Sequence, residues 1–392
     1  MTIDWTTEKL GDVCDFQGGS QPPKSQFIKT CENGYVRLLQ IRDFTSDEKA
    51  VFIPESAKNR ICSEDDVMIG RYGASVGQIH RGKSGAYNVA LIKTIPDVSR
   101  LDRDFFYYYL TSSLFQQPLA SVAVTRSAQA GFGKADIADF PIPIPELPEQ
   151  RRIVGILDEA FAGIATARAN AEQNLQNAHA LFESHLNAVF TQRGDGWIDT
   201  TIGDSCTLKS GTTVKKALEK PAGDFPYVKV ADMTCDGNED EVVTSTRFLN
   251  KDDIGKNATF PVGTTIFPKR GGAILTNKKK LTGAPICADL NIMGVIPSDR
   301  VLPEFLFFYF LNVDMRELGS GSSIPQINNY DIAPLAIAFP STIDEQSWIV
   351  SRLQSLLTET LCLKSIYQRK LAALDELKKS LLHQAFNGEL QA

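Results

Sequence analysis

The chain has 392 residues, 43% of them hydrophobic and 22% charged, which is ordinary for a soluble globular protein with room for two or three cored domains. Asp4 and Glu8 near the N-terminus argue against a secretory signal, and no stretch approaches the roughly 18 apolar residues of a membrane span. The seven cysteines include no C-x-x-C pair and the four histidines do not supplement them at ligand spacing, so neither a zinc site nor a disulfide framework is supported; a cytoplasmic protein with reduced thiols is expected.

Residues 1–148 read as a mixed domain of short strands and a few helices. Tyr35-Val-Arg-Leu-Leu-Gln-Ile, Val67-Met-Ile-Gly and Val89-Ala-Leu-Ile-Lys-Thr-Ile have the β-branched and aromatic content of strands, the last stopping at Pro96. Phe105 to Phe115 is apolar almost all round, as a buried helix would be. Its Tyr107-Tyr108-Tyr109 run could stack bases or fill a core. Pro141, Pro143, Pro145 and Pro148 forbid helix and force an extended exit. Residues 149–190 then hold no proline and are rich in Ala, Glu, Gln and Leu. A stripe at alternating spacings of four and three runs through Ile153, Leu157, Ala160, Ile164, Ala167, Ala171, Asn174, Ala178, Leu181 and His185, apolar or Ala at eight of ten positions, a coiled-coil seam. Residues 191–196 form a short polar linker.

From Trp197 the pattern repeats. Trp5-Thr-Thr-Glu-Lys-Leu-Gly-Asp-Val-Cys returns as Trp197-Ile-Asp-Thr-Thr-Ile-Gly-Asp-Ser-Cys, and Gly19 matches Gly211. The aromatic helix returns as Phe305-Leu-Phe-Phe-Tyr-Phe-Leu311, where Phe307 and Phe308 replace tyrosines without losing bulk, favouring core packing for both. Asp136-Ile-Ala-Asp-Phe-Pro matches Asp331-Ile-Ala-Pro-Leu-Ala, Glu149-Gln150 matches Glu345-Gln346, and Leu186-Asn-Ala-Val-Phe190 matches Leu382-His-Gln-Ala-Phe386. The second domain thus covers 197–343 and a second helix 344–388, with its seam at Ile349, Leu353, Leu356, Thr360, Leu363, Tyr367, Lys370, Leu374, Leu377 and Leu381. Small Ala residues in one seam suit large Leu residues in the other. A helix of about 40 residues is about 60 Å long, a rigid spacer. The expected class is α+β: two tandem mixed α/β domains, each followed by a long helix, the helices paired as an antiparallel coiled coil with pseudo-twofold symmetry. Such a protein suits a target with two inverted halves.

The net charge is −6, but its distribution matters more than the sum. Ile254 to Ala288 holds six Lys or Arg and no acid, and Val67 to Lys93 holds four with none. Ile69-Gly-Arg-Tyr-Gly-Ala-Ser aligns with Phe267-Pro-Lys-Arg-Gly-Gly-Ala, so both copies put positive charge and glycine in one place. Glycine permits close backbone approach and Lys or Arg meets phosphate or guanine. A solvated basic loop is the alternative for any one such segment. Catalytic motifs are missing: there is no Asn/Asp-Pro-Pro-Tyr/Phe tetrapeptide and no G-x-G-x-x-G. Gly131-Phe-Gly133-Lys134 fails as a phosphate loop at Ala128 and Ala135. Adjacent carboxylates Asp65-Asp66 and Asp252-Asp253 suit turns or helix starts better than a metal pair. Binding is the expected output. A bivalent coiled-coil scaffold for proteins would need the helices but not the basic glycine loops.

Over essentially its whole length the chain resembles the specificity subunit of type I restriction-modification systems. The likeness rests on the tandem domains, the junction Phe140-Pro-Ile-Pro-Ile-Pro-Glu-Leu-Pro-Glu-Gln-Arg-Arg-Ile-Val, and the helices ending Leu186-Asn-Ala-Val-Phe190 and Leu382-His-Gln-Ala-Phe-Asn-Gly-Glu-Leu390. The second junction, Phe339-Pro340-Ser-Thr-Ile-Asp-Glu-Gln-Ser-Trp, lacks the proline ladder. The resemblance implies two target-recognition domains, each reading one half of a bipartite double-stranded DNA sequence. It also implies that the helices set the gap and dock two modification subunits carrying S-adenosylmethionine. Restriction subunits using ATP and magnesium join such complexes, and the specificity chain itself holds no cofactor or catalytic residue. The candidate DNA-reading residues are Arg71, Tyr72, Ser75, Lys83, Arg126 and Lys134 in the first domain. In the second they are Lys269, Arg270, Asn277, Lys278, Lys279, Gln326, Asn328 and Asn329, because Arg pairs with guanine and Asn or Gln with adenine. The Asn-rich stretch could instead cap a helix starting near Asp331.

Overall fold

A computed structural model describes residues 5–124, 131–255, 258–318 and 325–390. It forms two compact units, Met1–Glu172 with Gln368–Ala392, and Gln173–Tyr367. The sequence predicts one helix after each domain, and these are Leu147–Thr191 and Ile343–Phe386; Pro148, read as part of the extended exit, instead lies in the first turn of the first helix, where its missing N–H costs no bond. Each unit therefore contains one domain, the start of the helix that follows it, and the end of the other long helix.

The first domain has two four-stranded sheets. One runs Cys14–Gly18, Leu91–Pro96, Met68–Gly70, Ile79–His80; the other runs Val51–Pro54, Tyr35–Leu39, Gly85–Tyr87, Ile61–Cys62. The second domain repeats this plan. Cys206–Ser210, Ile292–Pro297, Thr265–Pro268 and Lys280–Thr282 lie in the first order with Glu241–Val242 added, and Phe248–Leu249, Phe225–Val228, Ile286–Ala288 and Thr259–Phe260 lie in the second. Both copies include a parallel pair, Leu38 with Ala86 and Tyr227 with Cys287, within otherwise mainly antiparallel sheets.

The proline exit is a strand. Pro141–Ile144 pairs antiparallel with Thr6–Lys9, and the ladder uses the N–H groups of Ile142 and Ile144, which alternate with the prolines. Two-stranded ribbons tolerate proline because one side of each strand has no neighbour. The second junction forms the same ribbon, Ala336–Pro340 on Trp197–Thr201, without the proline ladder. Immediately after each ribbon a fully buried glutamine fastens the long helix to its domain. Gln150 Nε2 donates to the Arg100 and Pro145 carbonyls, both at 2.8 Å, and its Oε1 accepts from Asp102 N at 2.8 Å. Gln346 repeats this with the Arg300 and Pro340 carbonyls at 2.9 Å and Leu302 N at 2.8 Å.

Tyr108 and Tyr109 are buried, as the core reading of the tyrosine run expects, and the Tyr109 hydroxyl donates to the Pro141 carbonyl at 3.0 Å. Tyr309 does the same with Ala336 at 3.0 Å. The expected single helix breaks at Ser112 into Arg103–Thr111 and Ser113–Val124. Asp66 accepts the Ser63 N–H at 2.8 Å and Asp253 lies in a 3-10 turn, Lys251–Asp253, which matches the turn reading of both acid pairs.

In the first unit the long helices run antiparallel. Arg152 donates to the Leu390 carbonyl at 3.1 Å, Lys378 lies 5.0 Å from the Phe161 ring, and Arg168 pairs with Asp375 at 2.5 Å, so partner numbers fall as the first helix advances. In the second unit Phe182 and Leu186 share a core with Ile349, Val350 and Leu353. The seam differs here from the expected one: Leu181 is 62% exposed and His185 faces solvent, while Phe182 and Leu186 are buried. An α-helix with 3.6 residues per turn drifts about 20° per heptad against a strict 3.5 repeat, so over the four heptads from Ile153 to Leu181 the buried stripe moves nearly one residue on. Leu363 and Leu377 of the second seam face outward for the same reason.

Candidate nucleic-acid interface

In both domains an inner strand of the first sheet described above ends in a glycine-rich turn. After Met68–Gly70 the turn is Gly73–Ser75, with Gly73 at φ +58° and Gly77 at φ +80°; after Thr265–Pro268 it is Gly271–Thr276, with Gly271 at φ +67°. Left-handed φ makes glycine the residue these turns need. Each turn is tied by one bridge to a segment far along the chain, Tyr72 to Gly131 and Arg270 to Gln326. That second segment is shaped alike in both copies, because Gly133 N donates to Asp136 Oδ2 and Asn328 N to Asp331 Oδ2, both at 2.7 Å. Phe132 and Ile327, buried between bridge and cap, anchor it from beneath. Two loops from distant sequence are thus held side by side by the same contacts in each domain.

The matched cations of these loops turn inward. Arg71 is half-buried; its Nε donates to the Phe132 carbonyl at 2.7 Å and its guanidinium lies 5.0 Å from the Tyr72 ring. Lys269, its counterpart, is buried with Nζ donating to Ser210 Oγ at 2.7 Å, and burial together with the neighbouring Arg270 charge lowers its pKa. Both are struts that hold the loop to the adjoining segment or strand. The next position carries the display: Tyr72 is half-buried across Gly131, and Arg270 is exposed.

The other candidates divide in the same way. Ser75 Oγ closes its own turn on the Tyr72 carbonyl at 2.7 Å. Lys83 pairs with Asp47, which also takes Arg37, and Lys134 pairs with Asp15, whose carboxyl is lowered chiefly by that hydrogen bond. Arg126 lies outside the described residues. Asn277 adopts a left-handed φ of 51° and its Oδ1 accepts from Lys279 Nζ at 2.8 Å and Met315 N at 2.9 Å. Lys279 is buried and also donates to the Val313 carbonyl at 2.7 Å; desolvation brings its pKa down to about 8. Lys278 reaches Thr234 Oγ1 at 3.0 Å from a half-buried position. Gln326 and Asn328 are joined at 2.6 Å, and Asn329 is exposed at the start of a short helix, Asn329–Ile332, two residues before the start expected at Asp331. The structure therefore brings together Arg270, Gln326, Asn328 and Asn329, and separately Tyr72 with Lys134 beside Gly133. Sequence reasoning passed over Tyr330, whose hydroxyl lies 2.8 Å from Asn328 Nδ2; lying one residue past the Asn pair, it carried no motif signal.

Among the described residues no group of three or more His, Cys, Asp or Glu side chains could hold a metal ion, and no helix is long and apolar enough to cross a membrane. What the loops offer is hydrogen-bond donors and acceptors on two fixed frames, the chemistry of base-edge and phosphate recognition.

The comparisons with known proteins agree with one another. The family described as the type I restriction modification DNA specificity domain matches residues 2–176 and again residues 194–369. The type I restriction enzyme StySPI specificity subunit of Salmonella potsdam is 22% identical over 99% of this chain and 89% of its own length, and the EcoKI specificity subunit of Escherichia coli K12 gives the same figures. Among solved structures, a chain from a type I R-M system complex superposes with a TM-score of 0.82 at 17% identity, covering 98% of both chains. The HsdS subunit from Thermoanaerobacter tengcongensis superposes with a TM-score of 0.62 at 16% identity, covering 98% of this chain and 97% of that one.

Proposed function

Because the chain belongs to the type I restriction-modification DNA specificity family, we propose that each of its two recognition domains reads one half of a bipartite duplex target through the paired loops described above. It is the specificity subunit of such a system, a non-catalytic recognition component. The observation that carries the loop assignment is the repeated frame: the bridges Tyr72 to Gly131 and Arg270 to Gln326 put the same two loops together in both domains. In the second domain the contacts fall to Arg270, Gln326, Asn328, Asn329 and Lys278. In the first they fall to Tyr72 and Lys134, with Lys83 and Ser75 as further candidates. Lys269, Asn277 and Lys279 act by shaping the loops, and Arg71 by bracing one. The long helices set the gap between half-targets and dock two modification subunits that carry S-adenosylmethionine. Restriction subunits with ATP and magnesium join the same core, and the complex works in the cytoplasm.

Co-expression with its modification subunit, followed by base-resolution mapping of DNA methylation, tests this reading. A two-part motif with a fixed gap, lost when this chain is deleted, is expected; an unchanged methylation pattern would overturn it. Replacing Arg270 by Ala should weaken binding to the cognate duplex by about 1–3 kcal/mol and relax the second half only. Equal loss on all sequences, with a shallower salt dependence, would make Arg270 a phosphate contact instead.

A further inference from the structure

The two frames carry different loads, and the difference points to a residue that reads DNA in one half only. In the first domain the alternate positions of the capped segment are Gly131, Gly133 and Ala135, the first of them buried, and the bulk comes from the neighbouring loop, where a Cβ at Gly131 would come within 2.7 Å of the Tyr72 ring. By the bridge and the Asp136 and Asp331 caps, the same positions in the second domain are Gln326, Asn328 and Tyr330. These three are hydrogen-bonded in series: Gln326 Nε2 donates to Asn328 Oδ1 at 2.6 Å, and Asn328 Nδ2 donates to the Tyr330 hydroxyl oxygen at 2.8 Å.

The direction of this chain fixes its outer end. A phenol oxygen already accepting a hydrogen bond presents its own hydrogen away from that donor. Tyr330 is 69% exposed, and among the described residues its O–H meets no acceptor. The phenol is therefore an oriented donor on the segment that Gln326 bridges to the exposed Arg270. We propose that Tyr330 is a specificity-determining residue of the second domain, its hydroxyl donating to an acceptor on a base edge within the second half-target. Guanine N7 and O6, thymine O4 and adenine N7 accept in the major groove, whereas cytosine presents an amino donor, so the position Tyr330 faces excludes cytosine on the contacted strand. The first domain has Ala135 here and reads no base at the equivalent place.

The proposal rests on the DNA-reading function above, and the test separates the two. Tyr330→Phe keeps the ring and removes only the donor. In the complex with the modification subunit, methylation mapping should show this variant relaxed at one position of the second half, with about a tenfold rise at sites differing there, and with first half and gap unchanged. Asn328→Ala, which frees the phenol to rotate and removes the contact of Asn328 itself, should relax the same position together with any that Asn328 reads. An unchanged motif for Tyr330→Phe alongside a relaxed second half for Arg270→Ala would overturn the role of Tyr330 and leave the function standing. A uniform loss of methylation without a change of motif, or a change in the first half, would also overturn it. An unchanged pattern on deleting the chain would remove the function itself.

Discussion

Burial holds the Lys279 ammonium at a pKa of about 8, against 10.5 for a free lysine, although its Nζ donates to Asn277 Oδ1 and to the Val313 carbonyl. An unfolded chain keeps this proton to about 10.5 and the folded chain releases it near 8. Between those values the unfolded state binds more protons, so this group makes folding more favourable as pH rises. Below pH 8 its desolvation opposes folding in full. Lys279→Met should flatten that rise. Thermal unfolding compared at about pH 7.5 and about pH 9.5 should show the wild type gaining on the variant; parallel shifts would mean that Lys279 titrates as if exposed. Asn277 keeps its bond from Met315 N in the variant, so the loop retains its left-handed residue. Lys279 and Lys269 belong to the acid-free run that made this segment read as a nucleic-acid surface, and counting charges could not show that both ammoniums turn inward. The identity of the loop was legible in the repeat; which of its side chains face outward depends on Ser210 and Val313, far from it in sequence.

At the level of elements, each long helix is oriented by its first turn. Gln346 is fully buried and satisfies two carbonyls and one amide where the long helix meets its domain. Gln346→Leu fits the volume but leaves all three unpaired, at a cost on the order of 3 kcal/mol. Hydrogen exchange at the Leu302 amide should accelerate and the start of the Ile343–Phe386 helix should fray. Unchanged protection at Leu302 would show that Gln346 only fills space. The Glu-Gln pair after each domain was visible as a repeat match, and so were both helices and their approximate ends, because proline-free apolar periodicity is a local signal. Their inward face was legible for the first heptads, through Ile153 and Leu157, and lost by Leu181, where the drift of a straight helix outruns a heptad template. The ribbon Ala336–Pro340 forms without the proline ladder because its register is set by pairing with Trp197–Thr201. Its proline-rich counterpart was the more readable of the two and no better paired.

Across the whole chain, the repeat boundary and the folding boundary differ, because the end of each long helix closes a core that the other repeat built. Phe386, at the end of the second helix, lies 5.0 Å from the Phe105 ring and 5.9 Å from Tyr109, and Leu382, Ala385 and Leu390 are buried in the same cluster. Phe190, at the end of the first helix, lies 5.3 Å from Phe305 and 5.7 Å from Tyr309. The match of Leu186-Asn-Ala-Val-Phe190 with Leu382-His-Gln-Ala-Phe386 is thus a match of two plugs. Phe386→Ala removes a buried ring from the first core and should cost about 3–5 kcal/mol there, despite lying near the opposite end of the chain from Phe105. Hydrogen exchange should rise across Arg103–Thr111 and stay level across Pro303–Asn312. Phe190→Ala, half-buried and so milder, should reverse the pattern. If Phe386→Ala loosened Pro303–Asn312 instead, each helix end would belong to its own repeat, and the two cores would be closed in chain order.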